Sequence, residues 1–86
     1  MDLRDKLSEL NPDALIVEGY DEALIGIGCR YTEAACAVYS EEKIIEILEQ
    51  EMSYDDAVEF YEFNIACAYV GPHTPIIVKT LLKQVA

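Results

Sequence analysis

Residues 53–71, SYDDAVEFYEFNIACAYVG, constrain this chain more than any other stretch. Ser53 is a natural N-cap, because its hydroxyl can accept from the unpaired N–H groups of a first helical turn. Asp56 stands three residues on, in the capping-box position, and Met52 and Ala57 have the spacing of a weak hydrophobic staple. Asp55 and Asp56 also lie at the positive end of the helix dipole. At the far end Gly71 can take the left-handed C′ conformation, and Pro72 cannot continue a helix. Between these signals Ala57, Tyr61, Ile65 and Ala68 fall in one row, widened by Val58, Phe60 and Cys67. Asp55, Glu59 and Glu62 line the opposite side. So broad an apolar side predicts a helix over 53–71 buried against a sheet. Asn64 lies near the centre of that side, so its amide is expected to be buried and bonded to a loop or a neighbouring strand.

Length and charge bound the remainder. Eighty-six residues make one domain, 1–86, close to the size at which a single core barely suffices. A hydrophobic fraction of 52% is high for so small a body and predicts that some apolar surface is shared with a second copy or a partner. Seventeen acids against six bases give a formal net charge of −11. That argues against direct binding to nucleic acid or to an anionic membrane, and it suits a basic partner. Three cysteines and an opening MDLRDKL without a basic-then-apolar leader predict a reduced, cytoplasmic protein. No apolar run reaches the roughly 18 residues of a membrane span.

Taken in order, Leu3, Leu7 and Leu10 repeat at helical spacing behind a possible cap at Asp2, and Asn11-Pro12 ends this short helix. Ala14–Val17 reads as a first strand entering a turn at Glu18–Asp21. Glu22–Tyr31 alternates as a second strand with one apolar face and two glycines, Gly26 and Gly28, on the other. A turn centred between Thr32 and Glu33 leads to a third strand, Ala35–Tyr39. That centring sets Cys29 opposite Cys36, Ile27 opposite Val38 and Gly26 opposite Tyr39, whose ring would cover the glycine. Ser40 caps a second helix with Ile44, Ile45, Ile47 and Leu48 as its stripe. Ile76–Val78 reads as a last strand opened by Pro75, and Thr80–Ala86 fits either a continued strand or a helical turn. The expected fold is therefore α+β: a three- or four-stranded antiparallel sheet with two helices on one face and a short N-terminal helix.

The acid-rich pair of helices is the most distinctive chemical feature. Glu46, Glu49, Asp55, Glu59 and Glu62 recur at spacings that place carboxylates about 5–6 Å apart on a helix surface. Such rows could imitate the charge lattice of a nucleic acid and dock on a basic protein, or simply be a solvated face. Cys29, Cys36, Cys67 and His73 are zinc-ligand types, but without a CxxC spacing they read as core cysteines and an exposed loop histidine, with no metal or cofactor. Cys67 and His73 lack an orienting third group for a nucleophilic pair. No carboxylate is set by sequence in an apolar pocket that would tune it for acid–base work. The expectation is a protein without catalytic residues.

Three segments carry a resemblance: Gly19-Tyr20-Asp21 with the following EALIGIG, Glu59-Phe60-Tyr61-Glu62-Phe63-Asn64, and Ala68-Tyr69-Val70-Gly71-Pro72-His73-Thr74-Pro75. Over roughly residues 13–78 the chain resembles a family of small acidic proteins of tailed bacteriophages and bacteria. Its pattern is G-[FY]-D-x-A-[IL]-I-G, then E-F-[FY]-E-F-N, then A-[YW]-x-G-x-x-T-P; the pair Cys29 and Cys36 departs from it. The resemblance implies no catalytic residue and a phage or prophage accessory setting. Two functions are expected from these readings. The first is a non-enzymatic accessory protein that binds and modulates a host protein in the host cytoplasm through its acids. The second is a homo-oligomeric module for a small ligand or nucleotide signal, built around Gly26, Gly28, Asn64, His73 and Thr74.

Overall fold

The computed structural model describes residues 2–29, 34–66, 71 and 73–79. Helix α1 (Leu3–Leu10) is capped by Asp2, whose carboxylate accepts from the Asp5 N–H, and is ended by Asn11. A 3₁₀ turn at Asp21–Ala23 leads into strand β1 (Leu24–Gly28). Strand β2 (Cys36–Ser40) runs directly into helix α2 (Glu41–Leu48), with Ser40 as the cap accepting from the Lys43 N–H. Helix α3 (Tyr54–Tyr61) is capped by Ser53, which accepts from the Asp56 N–H at 3.2 Å. Strand β3 (Ile76–Val78) is the last described element. All three side-chain caps stand where Asp, Ser and Ser precede an amphipathic run.

The class is α+β, but the sheet is mixed rather than antiparallel. Its order is β1-β2-β3, with β1 antiparallel to β2 and β3 parallel to it. The reason is the connection: residues 41–75 carry two helices, long enough to bring the chain back to the start of β2. The expected strand Ala14–Val17 is irregular instead. It is held by Ala14 N–H to the Asn11 carbonyl at 3.1 Å, by Leu15 N–H to the His73 carbonyl at 3.3 Å, and by the Tyr39 hydroxyl, which accepts from the Val17 N–H at 2.9 Å. A short apolar run does not by itself distinguish a strand from a segment pinned by neighbours. Beyond it, Gly19 at φ +89 supplies the positive-φ position of the turn closed by Tyr20 N–H to the Val17 carbonyl.

The β1–β2 register is also corrected by one residue. Gly28 faces Cys36, Ile27 faces Ala37 and Gly26 faces Val38, while Leu24 rather than Gly26 stands opposite Tyr39. An irregularity between Leu24 and Gly26 adds one residue to β1, and Ile25 is left half-exposed there. Because side chains alternate, the slip decides which residues share a face. Ile27, Ala37 and Tyr39 point to the helices, whereas Gly26, Gly28, Val38 and Ile76 share the opposite side. The turn expected at residues 31–34 and the segment from Thr80 onward lie outside the described residues, apart from Ala34.

The core is small and built on small residues. Ala23, Ala37 and Ala57 are fully buried beside Leu7, Tyr39, Ile44, Leu48 and Tyr61. Alanines at these points let helices approach a strand closely, and the bulk comes from Tyr39, Ile44 and Leu7. Leu7 is the one buried residue of α1; Leu3 and Leu10 remain exposed, as its single thin stripe predicts.

Tyr39 supplies both area and the bond to Val17. Tyr39→Phe keeps the ring and removes the acceptor. The expected loss is about 1 kcal/mol, with a fall in the melting midpoint of about 4–8 °C. Urea unfolding with an unchanged slope measures it; an unchanged midpoint would mean that the hydroxyl contributes nothing to holding residues 14–17.

Candidate protein-binding face

The expected long helix does not run as one α-helix. Residues Glu62–Ala66 follow Tyr61 as a π-helical turn, and 67–70 lie outside the described residues. The wider turn adds a residue and rotates the succeeding side chains off the α-helical projection. Ala57 and Tyr61 are buried and Ile65 is half-buried, as their row predicts. Asn64, Phe60 and Phe63 are not. Asn64 is exposed, and its Nδ2 donates to the Phe60 carbonyl at 3.0 Å, four residues back, where an α-helix would place its backbone N–H. The expectation of a buried, core-bonded Asn64 is thereby corrected. Phe60 is 41% exposed and Phe63 77%, so Phe60, expected to widen the core side, instead contributes to the surface.

These residues form a shallow groove of about 340 Å³ lined by Met52, Asp56, Glu59, Phe60, Phe63 and Asn64. Two helical rows make it: Asp56-Phe60-Asn64 and Glu59-Phe63, each with a carboxylate one turn before a ring. Among the described residues no cation pairs with Asp56 or Glu59, whereas Arg4 pairs with Asp21 and Glu18, and Lys79 with Glu41. Sequence reasoning found Glu59 and missed the rings: Phe60 is assigned to the core side because large aromatics at helical spacing are placed there by default, and Phe63 is left without a role.

The other expected contact acids are all at the surface: Glu46, Glu49, Asp55 and Glu62. Glu46 lies in a separate dent with Glu22, Lys43, Ile47 and Gln50. The carboxylates thus surround the two helices, and among them Glu59 shares the groove with the aromatic rings.

The residues of the small-ligand alternative are dispersed. Asn64 and Thr74 both border a cleft of about 570 Å³ between residues 15–18, the π turn and β3, walled by Ile16, Val17, Ile65 and Ile77. Thr74 Oγ1 donates to the Gly71 carbonyl at 2.7 Å, closing a turn in which Gly71 sits at φ +115. His73 is half-buried rather than exposed, its Nδ1 3.1 Å from the Nδ2 of buried Asn11. An amide NH₂ only donates, so Nδ1 is the acceptor. Gly26 and Gly28 belong to the far side of the sheet. A Cβ on Gly28 would come within 3.0 Å of Ile76 Cδ1 and Val38 Cγ2, whereas one on Gly26 would meet nothing within 4 Å. Cys29 is exposed and Cys36 buried, and no cluster of metal-ligating side chains occurs among the described residues. Nor is any described helix long and apolar enough to cross a membrane.

Compared with protein-family profiles, curated proteins and solved structures, the chain finds no significant match.

One titratable group couples the helices. Burial, foremost, and then a hydrogen bond to the Glu41 carboxylate and the charges of Glu41 and Glu62 hold the Tyr61 phenol well above its ordinary 10.0. Burial raises Tyr39 and Tyr20 as well. The unfolded chain therefore releases these protons near pH 10 while the folded chain keeps them. Stability is fully present below that pH and is lost as pH rises above it. Thermal unfolding is expected to be flat up to about pH 9 and to fall steeply above about pH 10, with Tyr61→Phe removing the largest share of the fall. An alkaline limb of equal depth in that variant would overturn the assignment.

The glycines give a second test. Gly28→Val should overpack against Ile76 and Val38 and cost about 1–3 kcal/mol, while Gly26→Val, on the open side, costs little. Equal effects on the denaturation midpoint would contradict the close approach at Gly28.

Proposed function

We propose that this protein is a non-catalytic binding module that docks on a basic partner through the outer surface of α2, α3 and the π turn. The observation that supports it is the groove in which two exposed phenylalanines stand one turn beyond two carboxylates that meet no cation among the described residues, on a chain of net charge −11. A solvated acidic face does not require exposed Phe63, and aromatic residues with charged neighbours are what protein interfaces use. In line with the resemblance to phage accessory proteins, the partner proposed is a host protein in the host cytoplasm, whose activity the bound module would modulate. A partner whose basic surface otherwise holds nucleic acid suits the acid spacing.

The test is capture of a host protein by the immobilised chain. Binding should weaken with rising salt, drop on Asp56→Asn plus Glu59→Gln, and be competed by duplex DNA or RNA. Salt-independent capture, or capture unaffected by that pair of changes, would remove the electrostatic basis of the reading.

A second reading rests on the cleft beside β3. Its mostly apolar wall with Asn64 and Thr74 at the rim suits a small, largely apolar ligand. Native mass spectrometry of the freshly purified protein decides it: a stoichiometric small molecule supports the cleft as a ligand site, and its absence leaves the docking face as the function.

A further inference from the structure

Resting on the docking reading above, we propose that the groove of Met52, Asp56, Glu59, Phe60 and Phe63 takes an arginine side chain of the partner in preference to a lysine. Four observations converge there. First, the groove is anionic and without an internal counter-ion: neither Asp56 nor Glu59 meets a cation among the described residues. Second, two aromatic rings line it, because Phe60 and Phe63 stand three residues apart and both reach solvent. Third, Asn64 borders the same groove, and its Nδ2 donates to the Phe60 carbonyl at 3.0 Å, tying the π turn to the last turn of α3 beside the rings. Fourth, Met52 closes the N-terminal end with an unbranched, polarizable thioether that suits an aliphatic stem.

Charge complementarity selects a cation, and the shape of the chemistry selects which one. A guanidinium is planar and weakly hydrated, stacks on an aromatic face and presents parallel N–H groups to a carboxylate at the same time. Asp56 and Glu59, each one turn before a ring, offer both contacts to one such group. An ammonium is compact and strongly hydrated, and it meets the carboxylates without gaining from the rings to the same degree. The methylene stem of arginine also covers apolar surface that Phe63 otherwise leaves in water.

The experiment uses the full chain and two defined probes: a glycine-spaced hexa-arginine peptide and its hexa-lysine counterpart, with affinities read by calorimetry at fixed ionic strength. The arginine peptide is expected to bind about five- to tenfold tighter. Phe63→Ala, at the most exposed position, should remove most of that ratio, and Phe60→Ala with Phe63→Ala should bring it to about one while salt-dependent binding of both peptides persists. Far-ultraviolet circular dichroism and the melting midpoint verify that each variant folds. Equal affinities in the unaltered protein, or a preference that survives loss of both rings, would overturn the arginine assignment while leaving the acidic docking face standing. If neither peptide binds, the docking face itself falls, and the arginine site with it.

Discussion

One buried amide keeps the outlying segments of this small protein in place. Asn11 ends α1 by donating its N–H to the Leu7 carbonyl, and its own carbonyl accepts from Ala14. Its side-chain Nδ2 donates to the Ala35 carbonyl at 2.8 Å and meets His73 Nδ1, while Oδ1 accepts from the Asp13 N–H. The orientation of the amide is dictated by those partners, since reversing it would set oxygen against the Ala35 carbonyl and N–H against N–H at Asp13. Three stretches distant in sequence, those before β2, before β3 and after α1, thus meet at one side chain. With a core in which alanine recurs, directional bonds of this kind supply the uniqueness that bulk alone does not.

Much of the local structure was legible in the residues. Asp2, Ser40 and Ser53 cap helices because each precedes an amphipathic run, and the geometry of a cap depends on neighbours three residues away. Leu7, Ile44, Leu48, Ala57 and Tyr61 are buried as their periodicity predicts. What was not legible depends on distant parts of the chain. The direction of β3 is fixed by where two helices deliver it. The pairing of Leu24 with Tyr39 follows an added residue near Ile25 that composition does not announce. The fate of Ala14–Val17 is settled by the Tyr39 hydroxyl, more than twenty positions away.

The candidate groove shows the same division. Its acids were visible as a pattern, because charge on a helix declares its side. Phe60 is assigned inward, because the α-helical period carries it toward the core side and brings Asn64 close to its centre, while Phe63 is given no side. The π turn breaks that period at Glu62. Asn64 falls within that turn and reaches the surface, and with Phe60 exposed one turn earlier and Phe63 beside it the surface is a carboxylate field with apolar relief.

The parallel pairing of β2 with β3 has a consequence for biogenesis. During synthesis β2 leaves the ribosome with β1 already made, so that hairpin can close early from local contacts. Its other edge must wait until both helices and the loop after them have been made, leaving Val38 and its neighbours open to other chains in the meantime. The carboxylates abundant on the intervening helices repel one another between nascent copies during that interval, so net charge opposes association through the unfinished sheet.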